Sequence, residues 1–123
     1  MNKPVASRWA QQFPQLGTDP VPVEALLSDD YFQRENERLF KRTWLKLARV
    51  EELPAAGSWK LKPLPIWDSS IILVRGEDGH IRGFHNTCSH RGNRVIWAED
   101  GHGKARRFSC HLHGWTYNMN GEL

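Results

Sequence analysis

Cysteine is scarce in this chain: Cys88 and Cys110 are the only two. Both sit in short loops beside histidines, so no pair is left to staple the fold as a disulfide, and this usage suits a reducing compartment. Long apolar runs are also missing. No stretch approaches a membrane span of about 18 residues. The first 25 residues, with Lys3, Arg8, Gln11, Gln12, Asp19 and Pro20, lack the apolar segment of a secretory signal. A cytoplasmic address with no membrane partner is the expectation. Charge is nearly balanced, at +3 with a pI of about 9.1, too mild an excess to argue for nucleic acid as a partner. Internal repeats and low-complexity tracts are absent. At 123 residues, 39% of them hydrophobic, the chain fits one domain with a modest core and is too short for a complete two-domain enzyme.

The remaining sequence reads in two parts, an arm and helix over residues 1–43 and a β-rich domain over 44–123. Up to about Val23 the chain is rich in Pro, Gln and Gly and predicts an irregular arm, with Gly17-Thr18-Asp19-Pro20 as a turn. Ser28 is placed to cap a helix over 29–42, with Asp29 and Asp30 at its positive end, Lys41 and Arg42 at the other, and Phe32, Leu39 and Phe40 on one apolar side. Short β segments follow at 44–50, 59–64 and 70–75. Gly76-Glu77-Asp78-Gly79 predicts a hairpin turn into a strand over 80–86 that leads to Cys88. Beyond it lie Val95-Ile96-Trp97, a hydrophilic tip over 99–104, and Arg107-Phe108-Ser109 leading to Cys110. Each cysteine loop is thus expected at the tip of a β-hairpin, and the sequence stops at Leu123 in mid-pattern.

The chemistry concentrates in those loops. Cys88 and His90 are spaced C-x-H, Cys110 and His113 are spaced C-x₂-H, and residues 91–109 separate the pairs. Zinc modules mostly pair cysteine with cysteine and histidine with histidine on one knuckle or helix. Here each loop is mixed, which a binuclear site needs if the cysteines of both loops hold one metal and the histidines of both hold the other. In a Rieske [2Fe–2S] centre two histidines replace two cysteines on one iron, which raises the reduction potential. A structural zinc site is the alternative, separable by colour and metal content. Gly92 and Gly114 follow the candidate ligands where backbone must bend closely around a cluster, and Trp115 is placed either to shield one side or to join the core.

The stretches Cys-Ser-His-Arg-Gly-Asn-Arg-Val at 88–95 and Cys-His-Leu-His-Gly-Trp-Thr-Tyr-Asn-Met-Asn-Gly-Glu-Leu at 110–123 resemble the Rieske domain of ring-hydroxylating oxygenase α subunits. The resemblance extends to Tyr31-Phe32, to Glu37-Arg38-Leu39-Phe40-Lys41-Arg42-Thr43-Trp44 and to the stretch from Glu51-Glu52-Leu53-Pro54 to Gly57. It implies an all-β, mainly antiparallel Rieske iron–sulfur domain with an N-terminal arm and one helix, truncated at its C-terminus. It also implies that Cys88 and Cys110 hold the inner iron and that His90 and His113 hold the outer iron, the one that is reduced. Electrons would come from a ferredoxin or reductase supplied by NAD(P)H and pass to a mononuclear Fe(II) in a catalytic domain beyond residue 123. Full-length α subunits would form a homotrimer, with or without a β subunit. No residue of this chain would be catalytic. Two features depart from the family pattern: a somewhat long spacer between the ligand pairs, and Leu112 where an aromatic is usual. His111 adds a second histidine after Cys110, and the Gly-Trp that follows His113 favours the latter. A free-standing Rieske ferredoxin is the runner-up. The long arm ahead of the sheet and the stop at Leu123 weigh against it.

His80 and His85 are separated oddly on one expected strand, which points them to opposite faces, and His102 sits in a glycine-flanked tip; all three are expected at the surface. Arg91, Arg94, Lys104, Arg106 and Arg107 cluster around the two loops, either as a solvated face or as a patch that steers an acidic electron donor.

Overall fold

The computed structural model describes residues 8–17, 22–98 and 101–123. They fall into two compact units, which part between Thr43 and Trp44.

The first unit is helical and shorter-ranged than its sequence suggested. Helix α1 (Arg8–Gln12) and a 3₁₀ turn at Pro14–Leu16 occupy the expected irregular arm, and helix α2 (Glu24–Leu27) follows it. The turn proposed at 17–20 lies largely outside the described residues. Helix α3 (Asp29–Arg38) starts as its sequence dictates, with the Ser28 hydroxyl accepting the N–H of Tyr31 at 3.2 Å. It ends sooner than 42: Leu39, whose N–H still donates to Glu35 O at 2.8 Å, is its C-cap, and Phe40–Arg42 tighten into a 3₁₀ turn. Glu37 and Lys41 still pair at 2.5 Å across this break. Phe32 and Leu39 remain exposed.

The second unit is antiparallel sheet. Strands β1 (Ser58–Leu64), β2 (Ser69–Arg75), β3 (Ile81–His85) and β4 (Gly101–Lys104) form one sheet in the order β3-β2-β1-β4, and β5 (Arg107–Ser109) pairs with β6 (Thr116–Asn118) as a separate hairpin. β2 lies inside the sheet, and the consecutive burial of Ile72, Leu73 and Val74 is the pattern of a strand covered on both faces. The turn at 76–79 is as expected, closed by Gly79 N–H donating to Gly76 O at 3.0 Å.

Two sequence expectations fail here for non-local reasons. Residues 44–50 form no strand: none of the described strands pairs with them, and Trp44 is 100% exposed. The hydrophilic tip over 99–104 is instead largely β4, paired with β1 in the register Trp59↔Gly103 and Leu61↔Gly101. Its glycines leave room for the indole of Trp59, since a Cβ at Gly103 would stand 3.2 Å from Trp59 Nε1. The core joins the sheet to the hairpin through Leu61, Ile72, Val74, Val95 and Met119, and both cysteines belong to it. Among the described residues no helix is long and apolar enough to cross a membrane.

The hairpin at 76–79 also carries a charge cluster. Asp78 Oδ1 and Oδ2 accept from Arg82 Nη1 and Nη2 at 3.0 and 2.6 Å, and Oδ1 accepts the His80 N–H at 3.1 Å. The Arg82 guanidinium, with that N–H, holds the carboxyl of Asp78 well below the usual aspartate range. A depressed folded value means that the contribution is present above the unfolded pKa and is lost as pH falls toward the folded one. Asp78→Asn is therefore expected to make thermal stability less pH-dependent below about pH 4, as followed by melts across that range; an unchanged acid slope would refute it.

Candidate metal centre

The two cysteine loops are built on one backbone plan. Cys88 N–H donates to Asn93 O at 2.7 Å and Gly92 N–H donates back to Cys88 O at 2.9 Å; Cys110 N–H donates to Trp115 O at 2.8 Å and Gly114 N–H to Cys110 O at 2.9 Å. The two glycines take φ of 72° and 73°, where a side chain is strained, so each loop needs glycine at that place. The second loop caps the β5–β6 hairpin as expected, with Ser109 Oγ and Thr116 Oγ1 at 2.8 Å at its neck. The first loop is held differently. Residues 95–97 are no strand, and the side chain of Asn86 takes the place of a ladder. Asn86 Oδ1 accepts the N–H groups of Val95 (3.1 Å) and Ile96 (2.8 Å), while Nδ2 donates to Ile96 O (2.8 Å) and Ser70 Oγ (3.1 Å).

These loops bring the four donors into two groups. Cys88 and Cys110 are buried in the core, and the rings of His90 and His113 lie exposed with centroids 4.7 Å apart at 82°. Among the described residues no three His, Cys, Asp or Glu side chains converge on one ion-sized point. Trp115 packs against the core, one of the two places expected of it, and its indole stacks on His90 at 4.7 Å and 14°. His111 is exposed.

The sulfurs are surrounded by hydrogen-bond donors. The N–H of Leu112, followed by Asn93 Nδ2, the Cys88 thiol and the N–H of His113, draws the Cys110 thiol below its ordinary value against the opposing effect of burial. Tyr117 Oη lies 3.2 Å from Cys88 Sγ and also accepts the Ser89 N–H at 3.1 Å. Neither Asn86 nor Tyr117 was singled out from sequence; the only available signal was their place next to the loops, at the end of β3 and within β6. Two sulfurs on the core side and two ring nitrogens on the solvent side, with N–H groups aimed at sulfur, form a donor set that fits a two-iron cluster with unlike ends.

Residues 43–123 match the family model of the Rieske [2Fe-2S] domain. The chain belongs to this family. The Rieske domain is 39% identical over 95 residues to the large oxygenase component of the naphthalene 1,2-dioxygenase system of Pseudomonas aeruginosa, covering 77% of this chain and 20% of that protein. It is 36% identical to the large oxygenase component of salicylate 5-hydroxylase from a Ralstonia species, covering 91% of this chain and 26% of the relative. In structure it resembles a quaternary ammonium Rieske monooxygenase crystallised with an inhibitor, at a TM-score of 0.73 and 30% identity, over 83% of this chain and 27% of the other. The chain thus spans about a fifth to a quarter of the curated relatives it matches, on their N-terminal Rieske part. It carries a mostly antiparallel Rieske [2Fe–2S] domain, of the kind that transfers electrons in oxygenase α subunits.

His80, His85 and His102 are exposed, as are all five basic residues near the loops, Arg91, Arg94, Lys104, Arg106 and Arg107. Among the described residues none of the five is in an ion pair.

Proposed function

We propose that this Rieske domain is the electron-relay portion of a ring-hydroxylating oxygenase α subunit, with Cys88 and Cys110 holding the inner iron and His90 and His113 the outer iron. The observation that carries this reading is the segregation of donors, sulfur buried and imidazole exposed, in two loops of one plan. Held there, a two-iron cluster would supply one-electron transfer at a potential raised by histidine ligation. The chain's own residues set the conditions. The core keeps water from the sulfurs, Tyr117 and the N–H groups of Leu112 and His113 offer hydrogen bonds to them, and Trp115 fixes the plane of His90. The exposed imidazoles form the edge at which electrons enter and leave.

The electron donor is a ferredoxin or reductase fed by NAD(P)H. The acceptor is a mononuclear non-haem Fe(II) held by sequence outside this chain, where O₂ is used to hydroxylate an aromatic or similar substrate. The names of the naphthalene and salicylate relatives support that substrate class. The full-length subunits act in the cytoplasm as a homotrimer, with or without a β subunit.

The chain loaded anaerobically with iron and sulfide is expected to be coloured and to show a paramagnetic signal after one-electron reduction by dithionite. Its potential is expected to fall as pH rises through the alkaline range, because an imidazole on a reduced metal keeps its outer proton more tightly. A colourless zinc protein would reject the cluster, and a pH-independent potential would reject histidine ligation. The basic surface gives a further expectation. Reversing Arg106 and Arg107 to Glu should slow reduction by an acidic donor by about tenfold at low salt, with the difference closing as salt is raised; stopped-flow kinetics showing equal rates at low salt would remove the steering role.

A further inference from the structure

The shared plan of the two loops puts Asn93 and Trp115 in equivalent places, because each closes its own loop by accepting the N–H of that loop's cysteine. Each side chain then leaves its loop and meets a candidate ligand of the other. Trp115 crosses to His90, on the imidazole side. Asn93 crosses to the sulfur side, with Nδ2 at 3.7 Å from Cys110 Sγ. The same Nδ2 donates to Arg94 O at 3.2 Å. Both neighbours are acceptors, so the orientation of the amide is fixed: turned over, its oxygen would face a carbonyl oxygen and a sulfur.

We propose that Asn93 sets the reduction potential of the centre from the first loop, by donating a hydrogen bond to the cysteine sulfur of the second. The inference rests on the reading of Cys110 as a cluster ligand. An added electron increases negative charge on the iron–sulfur unit and its thiolates, so an N–H aimed at sulfur stabilises the reduced form more than the oxidised one. Removing it lowers the potential. The hydrogen bond also links the two loops directly, so that a residue belonging to the His90 loop governs the charge on a ligand of the His113 loop.

The test uses the full chain loaded with its cluster, titrated with a redox mediator while the visible and paramagnetic spectra are followed. Asn93→Leu keeps the bulk and deletes the donor; the equilibrium constant for reduction is expected to fall about tenfold, which is about 59 mV for one electron. Asn93→Asp keeps the shape but places an acceptor with negative charge against sulfur, and its potential is expected to fall further. Asn93→Ser retains a donor and should stay nearest the wild type. A role limited to building the loop would lower cluster content or melting temperature and leave the potential of the loaded fraction unmoved, which would overturn the proposal. Loss of the cluster in all three variants would overturn it too. If the wild-type chain itself forms no two-iron cluster, the functional reading fails first and this inference with it; a loaded wild type with unmoved variants defeats the inference alone.

Discussion

Serine in place of Cys110 is expected to yield a chain whose iron and sulfide content falls to background and whose two-iron spectrum is lost, while its far-ultraviolet circular dichroism stays close to the wild type. The two halves of that outcome have separate causes. The backbone bonds that close the second loop, Cys110 N–H to Trp115 O and Gly114 N–H to Cys110 O, do not involve the side chain, so the β5–β6 hairpin survives. The sulfur has no substitute: Cys110 is 3% exposed, water does not reach it, and the surrounding N–H groups of Leu112 and His113 are arranged around a soft, readily ionised thiol. The companion variant His111→Ala is expected to keep iron, sulfide and spectrum, and His113→Ala to lose the spectrum of the wild type. The reverse pattern would shift the ligand register in Cys-His-Leu-His and undo the assignment of His113.

Replacing Asn86 by alanine is expected to cost the Rieske domain about 3 kcal/mol, read as a lowered denaturant midpoint at unchanged slope. The side chain is 4% exposed and makes four hydrogen bonds. Its loss strands the N–H groups of Val95 and Ile96 in a place where Val95 is buried and Ile96 half-buried, and an unmet buried donor costs about 1–3 kcal/mol. Asn86→Asp retains an acceptor for both N–H groups and gives up the donations to Ser70 Oγ and Ile96 O, so it should fall between the two. Because the same bonds fix the entry and exit of the first loop, cluster content should drop with stability. A variant as stable as the wild type would show that residues 95–97 find their place without Asn86.

What could be read from sequence was what is decided locally. Ser28 caps its helix, Gly76 to Gly79 turn the hairpin, and Gly92 and Gly114 take the positive φ that their loops need, because each of these is a matter of a few neighbouring residues. The cysteine and histidine spacing and the family motifs likewise lie in short stretches, so the candidate site was legible before its geometry. The rest depends on partners far along the chain. Gly101 to Lys104 has the composition of a turn, and it becomes a strand because β1 offers a ladder and Trp59 fills the space its glycines leave. Residues 44–50 have the apolar content of a strand and find no ladder among the described strands. Asn86, Tyr117 and Asn93 are ordinary polar residues in sequence; their part emerges only when β2, the first loop and β6 come together around two sulfurs.

Two loops pinned by their own backbone and tied to one another by Tyr117, Asn93 and Trp115 leave the donor atoms little freedom to shift. A site whose dipoles are already in place when charge arrives has little rearranging left to do. With a cluster held in such a cradle, the speed of an electron hop would be governed by the gap to the next redox group and the driving force between them, and only weakly by motion of the polypeptide around it.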